Sequence, residues 1–125
     1  MKQLTVTCDL EGDMGISNIP LEDIVYLEFS KVSTKDKVIA HTEESKFYMP
    51  GTLKYWTHVF NASGLRYRTV DRSFAINVDK VISIDNVFLT AYFEVKRCTM
   101  SRRMYEDLVS EFPHLTIGIE SRRPV

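Results

Sequence analysis

The sequence predicts a mostly-β fold, an antiparallel multi-stranded architecture carrying two short α-helices. Its hydrophobic runs are short and rich in β-branched and aromatic residues, with polar or Gly-containing breaks every eight to twelve positions or so. Only two stretches space their apolar residues as a helix would. The run IVYLEF, apolar at nearly every position, predicts a central strand covered on both faces.

In chain order, strands are expected near Leu4 to Cys8, Ile24 to Phe29, Lys37 to His41, Lys46 to Met49, Arg66 to Arg68, Phe74 to Ile76, Val81 to Ile84, Val87 to Tyr92 and Lys96 to Met100. Such short strands favour a meander over a parallel sheet. Thr52 can cap a first helix with Leu53, Trp56, Val59 and Phe60 on one face, ended by the Asn61 to Gly64 cluster. Ser101 can cap a second, in which Met104, Tyr105, Leu108, Val109 and Phe112 form an apolar stripe, Arg102, Arg103, Glu106, Asp107 and Glu111 face out, and Pro113 stops the helix. Alternation of Leu115, Ile117 and Ile119 predicts a last edge strand. The hairpin around Phe88 to Val95 lacks a Gly turn, which leaves its register open.

The 125 residues fit one domain, with too little length for a second core or an attached sensory or receiver domain. Composition is that of a folded domain, 44% hydrophobic and 26% charged. No run of about 18 apolar residues occurs, and Asp9, Glu11 and Asp13 replace the basic start of a signal peptide. A soluble, cytoplasmic protein with no membrane partner is expected. Cys8 and Cys98 fit free thiols in a reducing compartment. His41, His58 and His114 are scattered, and the sequence has no HExxH, GxSxG, P-loop or GxGxxG. No enzymatic activity, cofactor or metal is called for.

The net charge of −1 counts against nucleic-acid binding, yet it averages over a gradient. Residues 1 to 30 hold one Lys and six acids, whereas residues 66 to 103 hold eight basic residues and four acids. This block could form a basic face, or scatter over a solvated surface. Within it, Arg102 and Arg103 stand in the first turn of the second helix, where cations oppose the macrodipole at about 0.3 to 1 kcal/mol each. The segment SRR there offers a capped anion site with two guanidinium forks, or two arginines paired to Glu106 and Asp107 one turn on. In the stretch from Leu65 to Val81, Arg66, Arg68, Arg72 and Lys80 interleave with apolar residues and could be held outward, while Asn77 and Asp79 read as turn residues. The loop Ser30 to Lys37 carries three lysines that suit a phosphodiester backbone or a plain hairpin tip.

Taken in order, IVYLEF, a polar loop, VIAH, FYM, GTLKYW, RYRTVDRSFAINVDKVISID and TMSRRMYEDL resemble the LytTR domain of LytR/AgrA-type regulators. The most specific parts are DRSFAINVDKV, where the family has an RxHRSyxVNldkI-like pattern, and the SRR helix start. The resemblance covers about residues 16–112 of a single domain, residues 1–125, with 113–125 as a C-terminal extension. It implies a mostly antiparallel β fold of the LytTR type that inserts loops and a helix start into successive major grooves. The implied function is a stand-alone bacterial or phage-type transcription regulator. Double-stranded DNA with direct or imperfect repeat half-sites is the implied partner, bound as a homodimer or with a regulatory protein partner.

Carried over position by position, the resemblance implies that Arg72 and Arg103 read base edges and that the Ser33 to Lys37 loop supplies a third reader. In that loop Asp36 could accept from a cytosine amino group or repel phosphate. Lys35, Lys37, Thr52, Ser73 and Ser101 fall at backbone-contact positions, with Arg102 as an additional contact. Asp71 departs from the family's usual His and sets a carboxylate beside the expected DNA edge. With the overall acidity, it keeps open a second reading, a degenerate module that sequesters another regulator.

Overall fold

A computed structural model describes residues 2–32 and 35–115. The described chain forms β1 (Gln3–Thr7), β2 (Ile16–Pro20), β3 (Ile24–Val32), β4 (Lys35–Thr42), β5 (Lys46–Pro50), α1 (Leu53–Ala62), β6 (Tyr67–Asp71), β7 (Phe74–Asn77), β8 (Ser83–Asp85), β9 (Thr90–Tyr92), β10 (Arg97–Thr99) and α2 (Arg102–Glu111). Seven strands make one sheet in the order β2-β1-β5-β4-β3-β7-β6, and three make a second, β10-β9-β8. Every pairing is antiparallel. The mostly-β expectation is borne out, although the β1–β5 and β3–β7 pairings depart from a plain meander.

Strand β2 has no counterpart among the expected strands. Its segment ISNIP spaces its two isoleucines three apart, out of step with a two-residue alternation, and Ile16 is 76% exposed. Among the described residues it is an edge strand paired only with β1, so burial left little trace in its sequence. The expected strand from Val87 begins only at Thr90, because residues 86–89 form a turn. Asp85 Oδ1 accepts the N–H groups of Val87 (2.8 Å) and Phe88 (3.0 Å). Leu89, at φ +50°, takes the left-handed conformation that a glycine would ordinarily supply. The register is thereby fixed, with Asp85 opposite Thr90 and Ser83 opposite Tyr92. The tail strand expected beyond Leu115 lies outside the described residues.

The central strand is covered on both faces, as IVYLEF predicts. Ile24 and Leu27 join Val38, Met49, Phe60 and Tyr67 in a core that α1 covers. Val25 and Tyr26 join Val70, Ile76, Ile84, Phe93, Leu108 and Phe112 in a second core under α2 and the small sheet. A β-bulge between Ile24 and Tyr26 lets the consecutive Val25 and Tyr26 serve the same core. Tyr67 Oη donates to the Ile24 carbonyl at 3.0 Å, tying β6 across to β3.

His41 is 7% exposed and lies stacked on Tyr26 with ring centroids 4.1 Å apart. Lys96 Nζ donates to its Nδ1 at 3.0 Å, and an ammonium group can only donate, so the imidazole proton sits on Nε2. That nitrogen donates to Glu28 Oε1 at 2.8 Å. Burial, aided by Lys96, holds the imidazole below its ordinary range against the opposing bond to Glu28. The same bond lowers the Glu28 carboxyl. Below the unfolded histidine value of 6.5 the unfolded chain therefore takes a proton that the folded chain refuses. Stability is full above that pH and falls on acidification, with Glu28 adding its loss further down. Thermal melts of the wild type should drop between about pH 7 and about pH 5, and His41→Gln should flatten that slope. An unchanged slope in the variant would remove this account.

Candidate nucleic-acid interface

Strand register gathers the expected contact positions at one end of the large sheet. The β3–β4 hairpin pairs Lys31 with Asp36 and Ser30 with Lys37, and Lys37 in turn pairs with Pro50 at the end of β5. On the other side of β3, the Phe29 N–H donates to the Ser73 carbonyl at 2.8 Å, so the Arg72–Ser73 turn lies beside the base of the hairpin. The Ser101 N–H donates to the Val70 carbonyl at 2.8 Å and brings the start of α2 next to that turn. Thr52, Lys37, the hairpin, Arg72–Ser73 and Ser101 thus follow one another in a row. At a strand spacing of about 4.8 Å, β5 and β7 stand about 14 Å apart along it.

Local structure fixes each member. Gly51, at φ +115°, leads into α1, and a Cβ there would meet Trp56 Nε1 at 3.0 Å. That nitrogen donates to the Pro50 carbonyl at 2.7 Å, which sets where Thr52 begins the helix. Thr52 Oγ1 accepts from the Tyr55 N–H (3.1 Å) and Ser101 Oγ from the Met104 N–H (3.3 Å), so both are the expected caps. In this role each hydroxyl uses its acceptor capacity and keeps an O–H to donate outward. Ser73 is half-buried at its turn.

The arginines divide into two sets. Arg68 binds Glu111 through two nitrogens, at 2.9 and 2.7 Å, and Arg66 pairs with Asp79. Both guanidinium groups lie 5.2 Å from the centre of the Phe112 ring. Both are held outward as expected, with side chains 48% and 36% exposed, but each is spent on an ion pair, that of Arg68 tying β6 to the C-terminal end of α2. Arg72, Arg102 and Arg103 are exposed and belong to no ion pair among the described residues, so the pairing of Arg102 and Arg103 with Glu106 and Asp107 does not form. Neither carries compensation for its unfavourable place at a helix start.

Asp71 has a local task. Its Oδ1 accepts the Arg72 backbone N–H at 2.6 Å, which shapes the tight β6–β7 turn and aims the residue that follows. Asn77 acts as a turn residue, accepting from the Asp79 N–H at 3.2 Å, whereas the Asp79 carboxylate is spent on Arg66. Asp36 is exposed and Lys37 half-buried. Ser33, Thr34 and the Lys35 side chain lie outside the described residues.

The opposite end of the sheet is acidic. Glu22, Asp23, Glu43, Glu44, Asp79 and Glu94, with Lys80, line an open cavity of about 650 Å³ floored by Ile19, Val25, Phe47 and Val81. Glu43 also joins the two sheets, accepting the N–H groups of Glu94, Val95 and Lys96 at 2.8, 2.8 and 3.0 Å. Partial burial opposes its ionised form, but these three donors keep its carboxyl below the usual range. Sequence reading allows Glu43 to point out from a strand or to cap a turn, but not to say which turn, because the one it caps is some fifty residues away along the chain.

The LytTr DNA-binding domain family matches residues 14–112. This chain belongs to the LytTR family. The match spans both helices, most of both cores and the exposed Arg72, Arg102 and Arg103, and agrees with the resemblance read from the sequence motifs. The LytTR fold is also found in the LytTr DNA-binding domain of a Bacillus cereus protein described as a methyl-accepting/DNA response regulator. That domain is 17% identical, with a TM-score of 0.70 over 90% of this chain and 97% of its own. No curated protein matches the chain. Among the described residues no helix is long and apolar enough to cross a membrane, and no group of three or more His, Cys, Asp or Glu is placed to hold a metal ion.

Proposed function

We propose that residues 1–125 act as one sequence-specific, double-stranded-DNA-binding domain of a transcription regulator, with the basic end of the large sheet against the duplex. The observation that carries this reading is the set of exposed arginines Arg72, Arg102 and Arg103, unpaired among the described residues and beside the β3–β4 hairpin, in a LytTR domain whose Arg66 and Arg68 are consumed by ion pairs. Because the contacts form a row across the strands, the duplex runs along that row. Successive grooves then meet the hairpin with Asp36, the Arg72 turn and the start of α2 with Arg103. Lys35, Lys37, Thr52, Ser73, Ser101 and Arg102 hold the flanking phosphates, the two capping hydroxyls donating to phosphate oxygens. Two copies on direct or imperfect repeats make up the bound form, in the cytoplasm of a bacterial cell.

Selection from a random duplex pool should enrich one motif with repeated half-sites. Its log affinity should fall against log salt by roughly 0.9 per phosphate neutralised. A pool that stays unenriched at low salt would sink the proposal. The second reading, sequestration of another regulator, is favoured by the acid-lined cavity at the far end of the sheet. It requires a protein partner that is retained after nuclease treatment.

A further inference from the structure

The turn between β8 and β9 presents two adjacent apolar side chains to solvent, Val87 at 67% and Phe88 at 75% exposure. Single exposed apolar residues are common on soluble proteins, so exposure alone says little. This pair differs in being held rigidly. Asp85 takes both of their N–H groups, Thr90 Oγ1 donates to the Phe88 carbonyl at 3.0 Å, and the Met100 N–H donates to the Leu89 carbonyl at 2.7 Å. Leu89 adopts a backbone conformation that costs a leucine energy, and the turn keeps it.

The last of those bonds also fixes where the tip lies. Met100 immediately precedes Ser101, so the Val87–Phe88 tip adjoins the start of α2 and its exposed Arg102 and Arg103. We propose that Phe88, flanked by Val87, is an additional specificity element that packs on thymine C5-methyl groups in the major groove entered by the start of α2. The chemistry is complementary. The thymine methyl is the one apolar group on a major-groove base edge, and a phenyl ring reads it where an arginine cannot. A preformed tip loses little freedom when it docks. The proposal rests on the DNA-binding reading above and adds a recognised base to it.

The test uses the full chain on a duplex selected by the wild type from a random pool. Binding of wild type, Phe88→Ala and Phe88→Leu is measured on that duplex and on copies with deoxyuridine replacing each thymine in turn. At one or two positions, loss of the methyl should weaken the wild type by about threefold to tenfold. Phe88→Ala should bind the unmodified site weaker by a similar factor and be indifferent to deoxyuridine at those positions, while Phe88→Leu keeps part of the sensitivity. The salt slope should not change, since no phosphate contact is lost. A wild type that selects a site, loses it with Arg103→Ala and ignores every thymine methyl overturns this proposal alone, as does a Phe88→Ala variant with full methyl sensitivity. A wild type that selects no sequence removes the DNA reading and this proposal together.

Discussion

Reversing both charges at the start of α2, Arg102→Glu with Arg103→Glu, is expected to lower affinity for the selected duplex by about 100-fold or more at ~0.1 M salt. One base-reading fork is worth about 1 to 3 kcal/mol, and the second arginine supplies a phosphate contact whose loss adds to it. The same change should raise thermal stability. Glutamates in a first helical turn complement the macrodipole where the arginines oppose it, at about 0.3 to 1 kcal/mol per position. Opposite signs in the two measurements separate a functional site from a structural one. A module that sequesters a protein through its acidic end would gain the stability without losing function. Equal DNA affinity in the double variant would end the reading of α2 as a groove-entering element.

The largest expected effect on stability is at Phe60. Its side chain is fully buried, edge-on to Tyr67 at 5.1 Å and to Trp56 at 6.0 Å, and belongs to the core that α1 shares with the central strands. Phe60→Ala should cost about 3 to 5 kcal/mol in denaturant titration, through lost burial and the cavity left between helix and sheet. Domains of this size are stable by only about 5 to 15 kcal/mol, so the variant should sit near its unfolding midpoint in mild denaturant. A loss under about 1 kcal/mol would mean that α1 closes over the gap and that the packing around Tyr67 is looser than the ring contacts indicate.

Much of this architecture was legible where burial and local chemistry agree. IVYLEF announced a strand covered twice over, and Thr52 and Ser101 announced two helix starts that the hydrogen bonds of Tyr55 and Met104 reproduce. Legibility failed where the deciding partner is distant or the segment is barely buried. No local pattern signals that Glu43 will cap the β9–β10 turn, or that Phe112 will gather Arg66 and Arg68. β2 leaves little hydrophobic imprint because it buries little. Asp71 is the instructive case: beside Arg72 in sequence it reads as an intrusive charge, whereas its carboxylate closes the turn that presents Arg72. The pairing of Arg102 and Arg103 with Glu106 and Asp107, allowed by helical spacing, does not form, since i, i+4 proximity permits an ion pair without requiring one.

The opposed ends of the large sheet have a kinetic consequence. With arginines unpaired among the described residues at one end, and at the other a cavity whose carboxylates outnumber its one lysine even after Asp79 is spent on Arg66, a chain of net charge −1 still separates its charge along the strands. In the field of a polyanion, such a molecule is turned before it arrives. The basic end is drawn in and the acidic end swung away, so a larger share of encounters begins in a productive orientation. Steering of this kind depends on the separation of charge and not on its sum, and it weakens as salt shortens the reach of the field. Near-neutrality keeps the chain from adhering to nucleic acid by its whole surface, while polarity leaves one end able to search.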